Sequence, residues 1–151
     1  MDVNGSGAGV VLCTAEDHAP VLVVWNTRWR PDQKEPEKRE AAAWQGIQQF
    51  FIRLSCRTEI RGAEAIPADT AGFSKVVSIT VRELGPVLKI GLPVPVEGGT
   101  EVVFDSKVID GRSGKSLAEL RTHWQNGGPF VVKGVRTLSE DMTAALVATF
   151  W

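Results

Sequence analysis

The sequence predicts an α+β fold: a mostly antiparallel sheet with two main helices, about 36–54 and 138–150, packed on it. Three observations carry this. Residues 100–124 alternate around a turn as a β-hairpin, residues 36–54 place apolar side chains at helical spacing, and a second helical stripe follows Leu138. The 151-residue length is about one domain. We expect residues 10–151 to form it, with residues 1–9 as a flexible leader rich in Gly and Ser.

Val10 to Cys13 reads as a short strand, and Val21 to Trp25, continued by Thr27 and Trp29, as a second, buried at its start. Arg30 to Pro36 is a polar loop. Pro36 opens the first helix, where its missing N–H costs nothing, and Glu37 and Glu40 suit the positive end of the helix dipole. Trp44, Ile47, Phe51 and Leu54 form one stripe, widened by Ala43 and Phe50, and expected to be buried. Gly46 lowers helix propensity by about 1 kcal/mol relative to Ala, which close packing at that point would offset.

Thr58 to Ile66 is a short, partly polar strand candidate, followed by a turn at Pro67 to Gly72. Ser74 to Leu84 then alternates, with Val77, Ile79 and Val81 against Ser78, Thr80 and Arg82. Gly85-Pro86 is read as its end, and Val87 to Val96, carrying Pro93 and Pro95, as an edge segment. In the hairpin Val102, Phe104, Ser106 and Val108 share one face, and Ala118, Leu120, Thr122 and Trp124 alternate after the turn. Asp110-Gly111 and Ser113-Gly114 supply the turn chemistry. Thr137 and Glu140 fit a capping box, and Leu138, Met142, Ala145, Leu146 and Phe150 share a face of the last helix.

Composition excludes several classes. A net charge of −1 leaves no basic footprint for nucleic acid, and no run approaches the ~20 apolar residues of a membrane span. Cys13 and Cys56 are too few for a disulfide framework. They are open to one bridge in an oxidising compartment or to two buried thiols, and cysteine's burial tendency favours the thiols. Gly9 to Cys13 superficially resembles the end of a lipoprotein signal, but Asp2 is acidic, no Lys or Arg precedes Arg28, and Leu12 is too large for the cleavage site. The leader suits a chain cut downstream of a targeting segment.

No residue pattern assembles an active site. Gly5-Ser6-Gly7-Ala8-Gly9 precedes a strand instead of following one, the wrong order for phosphate binding. His18 and His123 are the only histidines and no CxxC exists, so no metal or cofactor is expected. Cys56 follows a helix and gains no dipole activation. Asp105, Asp110 and Glu119 in the hairpin could pair as acid and base; Asp110 is better explained as a turn-former with Gly111, and no enzyme activity is expected. The most binding-like stretch is Trp25 to Arg30, where Trp25, Thr27 and Trp29 share one strand face and Asn26, Arg28 and Arg30 the other. The tryptophans are expected beneath the first helix. Arg28, Arg30, Asp32 and Lys34 are the candidate partner surface.

Val108 to Glu119, reading VIDGRSGKSLAE, resembles the strand, Asp-x-x-Ser/Thr-Gly-Lys, strand hairpin of small Gram-negative envelope lipoproteins of unknown function. Ala68-Asp69, the Val76 to Pro86 strand ending in Glu-Leu-Gly-Pro, and the Ala-rich last helix are similar too. These families resemble in fold the curli-secretion lipoprotein, the penicillin-binding-protein activator lipoproteins and the TolB amino-terminal domain. The resemblance spans roughly residues 21–150 and implies a non-enzymatic domain, periplasmic or outer-membrane-associated, that binds an envelope protein or polymer within an assembly. A homo-oligomer is compatible with it. The alternative reading is a small cytosolic enzyme or small-ligand-binding protein with a pocket between helix and sheet.

Overall fold

The alternating segments build one open, mixed sheet of six strands, seen in a computed structural model that describes residues 2–14, 19–29, 36–63, 65–89, 97–129 and 138–151. In chain order the elements are β1 (Asp2–Ser6), β2 (Val21–Thr27), α1 (Pro36–Phe51), β3 (Thr58–Gly62), β4 (Lys75–Lys89), β5 (Glu97–Asp110), β6 (Ser116–Pro129) and α2 (Leu138–Phe150). The strand order is β1-β6-β5-β4-β2-β3. Antiparallel pairing runs from β1 through β6 and β5 to β4. β2 lies parallel to both β4 and β3, and α1 makes the crossover from β2 to β3 that parallel pairing requires. The expected α+β architecture holds, with the hairpin at its centre.

Both helices cover one face of the sheet. Val21 and Val23, Val77, Ile79 and Val81, Val102, Phe104 and Val108, and Ala118 and Leu120 point into a single core. Ala43, Ile47, Phe50 and Phe51 from α1 and Leu138, Met142, Ala145 and Leu146 from α2 close over them. Trp44 and Leu54 are half-buried at its margin, so the α1 face is rotated toward Phe50 relative to the expected stripe. A smaller cluster of Leu22, Val24, Val76 and Ile109 covers one end of the opposite face. Gly46 sits where the helices cross. A Cβ there would stand 2.6 Å from both the Met142 Cβ and the Ser139 carbonyl oxygen. The Thr143 hydroxyl donates to the Gly46 carbonyl at 2.9 Å across the same gap.

Several expectations are corrected. The supposed flexible leader contains β1, which pairs with β6 from Asp2↔His123 to Ser6↔Glu119. Gly7 makes this approach possible, with φ +83° and a Cβ position that would collide with the Leu117 carbonyl oxygen. Val10 to Cys13 is irregular, not a strand, because it leaves the sheet after the Gly7 turn to seat Leu12 in the core. α1 ends at Phe51 rather than Leu54; Arg53 and Leu54 donate to the carbonyls three residues back, the tightening that closes a helix. Cys13 and Cys56 are bridged, not free thiols, tying the segment after β1 to the chain entering β3.

β4 does not stop at Gly85-Pro86. It passes a register shift between Val81 and Glu83 and pairs with β5 as far as Lys89. β2 ends opposite Val81, so beyond it one row of β4 backbone groups has no neighbouring strand among the described residues, a place where a proline is tolerated. Arg39 of α1, buried itself, donates to the Leu84 carbonyl in this stretch at 2.6 Å. Gly85 leaves it room, since a Cβ there would fall on the guanidinium. The rest of the expected edge segment, 90–96, and Thr137 of the capping box lie outside the described residues.

Phe50 is fully buried between the helices and the sheet, so Phe50→Ala is expected to lower unfolding free energy by about 3–5 kcal/mol. Trp44→Ala should cost less, reflecting its half-burial; urea titrations of the two variants measure the difference, and equal losses would contradict this core. The bridge closes a loop between residues 43 apart, and its reduction is expected to cost about 2–5 kcal/mol. Urea unfolding with and without dithiothreitol reads that cost.

Candidate functional site

Two surfaces gather the polar and aromatic residues left by the core. The first is the uncovered face of the hairpin, where alternation sends Asp105 and Lys107 of β5 and Glu119, Arg121 and His123 of β6 away from the helices. Asp105 is the hub. Arg121 holds it with two bonds, Nε to Oδ1 at 2.6 Å and Nη2 to Oδ2 at 3.0 Å, and Arg82 Nε bonds the same carboxylate from β4. Lys107 pairs with Glu119 at 3.3 Å, and His123 Nε2 meets Glu101 Oε1 at 2.6 Å. Asp105, Lys107, Glu119 and Arg121, with Asn4, Ser78 and Thr80, line a shallow depression of about 440 Å³.

The Arg121 guanidinium, foremost, holds the Asp105 carboxyl below the usual carboxylate range, against the opposing pull of part-burial. Asp110 is lowered as well, chiefly by the Ser113 backbone N–H and then by that of Arg112, which its Oδ1 accepts at 2.9 Å each. Asp110 is thus a turn-former. Asp105 is an ion-pair acceptor with no proton to give, and Glu119 is spent on Lys107. The three carboxylates are dispersed into separate jobs and do not form an acid–base pair. Among the described residues no cluster of three or more His, Cys, Asp or Glu is placed to hold a metal, and no helix is long and apolar enough to cross a membrane.

The second surface is the corner where β2 and β3 meet the start of α1. Trp25 and Trp29 pack against the helix-side core and Arg28 is exposed. Arg28 N–H donates to the Val81 carbonyl at 2.9 Å, extending the β2–β4 pairing by one residue. Arg30, Asp32 and Lys34 of the candidate partner surface lie outside the described residues. Trp25 is stacked on Trp44 of α1, with ring centroids 5.4 Å apart and planes 9° from parallel. Glu37, Glu40, Ala41 and Gly62 complete a groove of about 460 Å³ around the pair. A core stripe that includes Trp44 hides this groove from a reading of the sequence. The signal is nonetheless present: Glu37, Glu40 and Trp44 recur at i, i+3 and i+7, one face of a helix.

No protein-family model matches the chain, and no curated protein matches it. Solved structures do. The dodecamer of a leucine-to-methionine variant of PelC from Paraburkholderia phytofirmans is 17% identical, with a TM-score of 0.54 over 97% of this chain and 93% of that one. A second PelC dodecamer structure from the same organism is 16% identical, with a TM-score of 0.53 over 96% and 94%. Lipoprotein GNA1162 from Neisseria meningitidis is 18% identical, with a TM-score of 0.45 over 86% and 96%. At these identities the property shared with PelC is the fold.

The Asp105 ion pairs set a pH dependence. A carboxyl with a lowered folded pKa contributes stability that is complete above its unfolded value, about 3.9, and is lost as pH falls through the folded value. Wild-type unfolding free energy is therefore expected to decline from about pH 5 toward about pH 3. Asp105→Asn should flatten that decline, and an unchanged slope in urea titrations across this range would remove Asp105 from the account.

Proposed function

We propose that this chain is a non-enzymatic domain of the bacterial envelope, periplasmic or outer-membrane-associated, that binds an envelope protein or polymer and works as a repeated subunit of an assembly. The observation that carries this reading is the likeness over nearly the whole chain to PelC, a protein solved as a dodecamer. The Cys13–Cys56 bridge supports the compartment, because disulfides persist where the environment is oxidising. The hairpin's resemblance to that of envelope lipoproteins points the same way. Both outer strands of the open sheet, β1 and β3, have one strand neighbour among the described residues, leaving each with a row of backbone groups outside the ladder. Arg28, with Arg30, Asp32 and Lys34, remains the proposed partner surface; Arg28 is exposed just past the end of β2.

The oxidised protein is expected to form a discrete oligomer in native mass spectrometry at micromolar concentration. Arg28→Ala with Arg30→Ala should weaken capture of a partner in crosslinking from envelope extracts while shifting stability by less than about 0.5 kcal/mol, the range of surface substitutions. A monomer at every concentration, together with no captured partner, would defeat the assembly reading. Unchanged capture by the double variant would move the interface elsewhere.

A further inference from the structure

The geometry points to a binding site for a basic side chain, lysine or arginine, of a partner protein in the Trp25–Trp44 groove. This goes beyond the assembly reading and does not depend on it. The floor is aromatic: two parallel indoles, both half-buried, at the junction of β2 and α1. The flank beside Trp25 is open because its partner in β3 is Gly62, where an added Cβ would meet nothing within 4 Å. The rim is acidic. Glu37 and Glu40 are exposed on the helix face that carries Trp44, and among the described residues neither takes part in an ion pair or hydrogen bond through its side chain. No cation is among the described residues that line the groove.

Stacking takes one face of each indole and leaves the outer one; an indole face attracts a cation through its quadrupole, and a carboxylate accepts a charge-assisted hydrogen bond from it. A lysine or arginine side chain matches this division. Its aliphatic stem packs along the apolar floor while its head reaches the carboxylates. Among the six described residues that line the groove, four, Glu37, Glu40, Ala41 and Gly62, are exposed, an openness that does not suit a free small molecule. Small-ligand sites enclose about 70–90% of their ligand. The occupant is therefore a side chain held in place by the rest of a larger partner.

The test titrates the full chain with a lysine-rich synthetic peptide, with its Nε-acetylated counterpart, and with spermidine, following the indole N–H signals by NMR. The lysine peptide is expected to bind and to shift the Trp25 and Trp44 indoles. Acetylation should weaken binding by about tenfold or more, as should Glu37→Gln with Glu40→Gln, the size of a cation–π contact plus a charge-assisted one. Both substitutions are on exposed positions; they remove two carboxylates from the positive end of the α1 dipole, so a small drop in thermal midpoint is expected, and backbone amide signals otherwise at their wild-type positions confirm that the fold is intact. Absence of peptide binding, equal binding by the double variant or the acetylated peptide, or unmoved Trp25 and Trp44 signals would each overturn the site. Spermidine binding as tightly as the peptide would overturn the assignment to a protein side chain.

Discussion

The constraint on which the rest of this structure depends is the close crossing of α1 and α2. A six-stranded sheet with one apolar face needs a cover wide enough to span its central strands, and two helices supply it only if they lie against each other without a gap. Gly46 removes the side chain that would hold them apart, and Thr143 ties the carbonyl at that point. With the helices in contact, Phe50, Phe51, Met142 and Leu146 fill the space above β4, β5 and β6. The same placement carries Arg39 to β4 and brings Trp44 over Trp25. A larger residue at position 46 would move all of these together.

The elements legible in the sequence are those whose burial is one-sided. The 102–108 and 118–124 runs alternate because one face meets the helices and the other meets water, so period two is written into them. The two helices are equally plain. What local pattern hides is anything decided by a distant partner. β1 carries no apolar alternation; it is a strand because the edge of β6 offers backbone groups and the glycines let it approach. Gly85-Pro86 reads as a break until β2 is seen to end short of it. The cysteine pairing depends on the path of residues 7–13 around the end of α1, which spacing cannot give. Trp44 reads as core because a helical stripe does not say where the cover ends, and Trp44 lies just past that limit. Of the proposed partner surface, the sequence shows the exposure of Arg28 by alternation, whereas the acidic Trp25–Trp44 groove depends on how α1 is rotated over β2.

The open face of the hairpin shows how a sheet with one uncovered side is kept from being apolar. The outward positions 105 and 107 of β5 and 119, 121 and 123 of β6 all carry ionisable side chains, and opposite signs face each other across the strands. Asp105 sits between two guanidiniums, which satisfies its oxygens and leaves a net positive charge at that spot. Exposed pairs of this kind contribute little to stability individually. Their effect is on what does not happen: a flat strand surface with fixed, mixed charges is a poor template for stacking a second sheet.

The pairing of β1 with β6 has a consequence for the order of events during synthesis. Residues 2–6 emerge long before their partners, residues 119–123, which belong to the last strand of the sheet. Contacts so distant in sequence are slow to form, because the intervening chain must be ordered before they are rewarded. The earliest strand made is thus among the last to dock. Until β6 arrives, β1 is a tether of unpaired backbone, open to whatever factor meets the nascent chain. The bridge at Cys13 can close only where the surroundings are oxidising, and it then anchors the far end of that tether to the segment between α1 and β3.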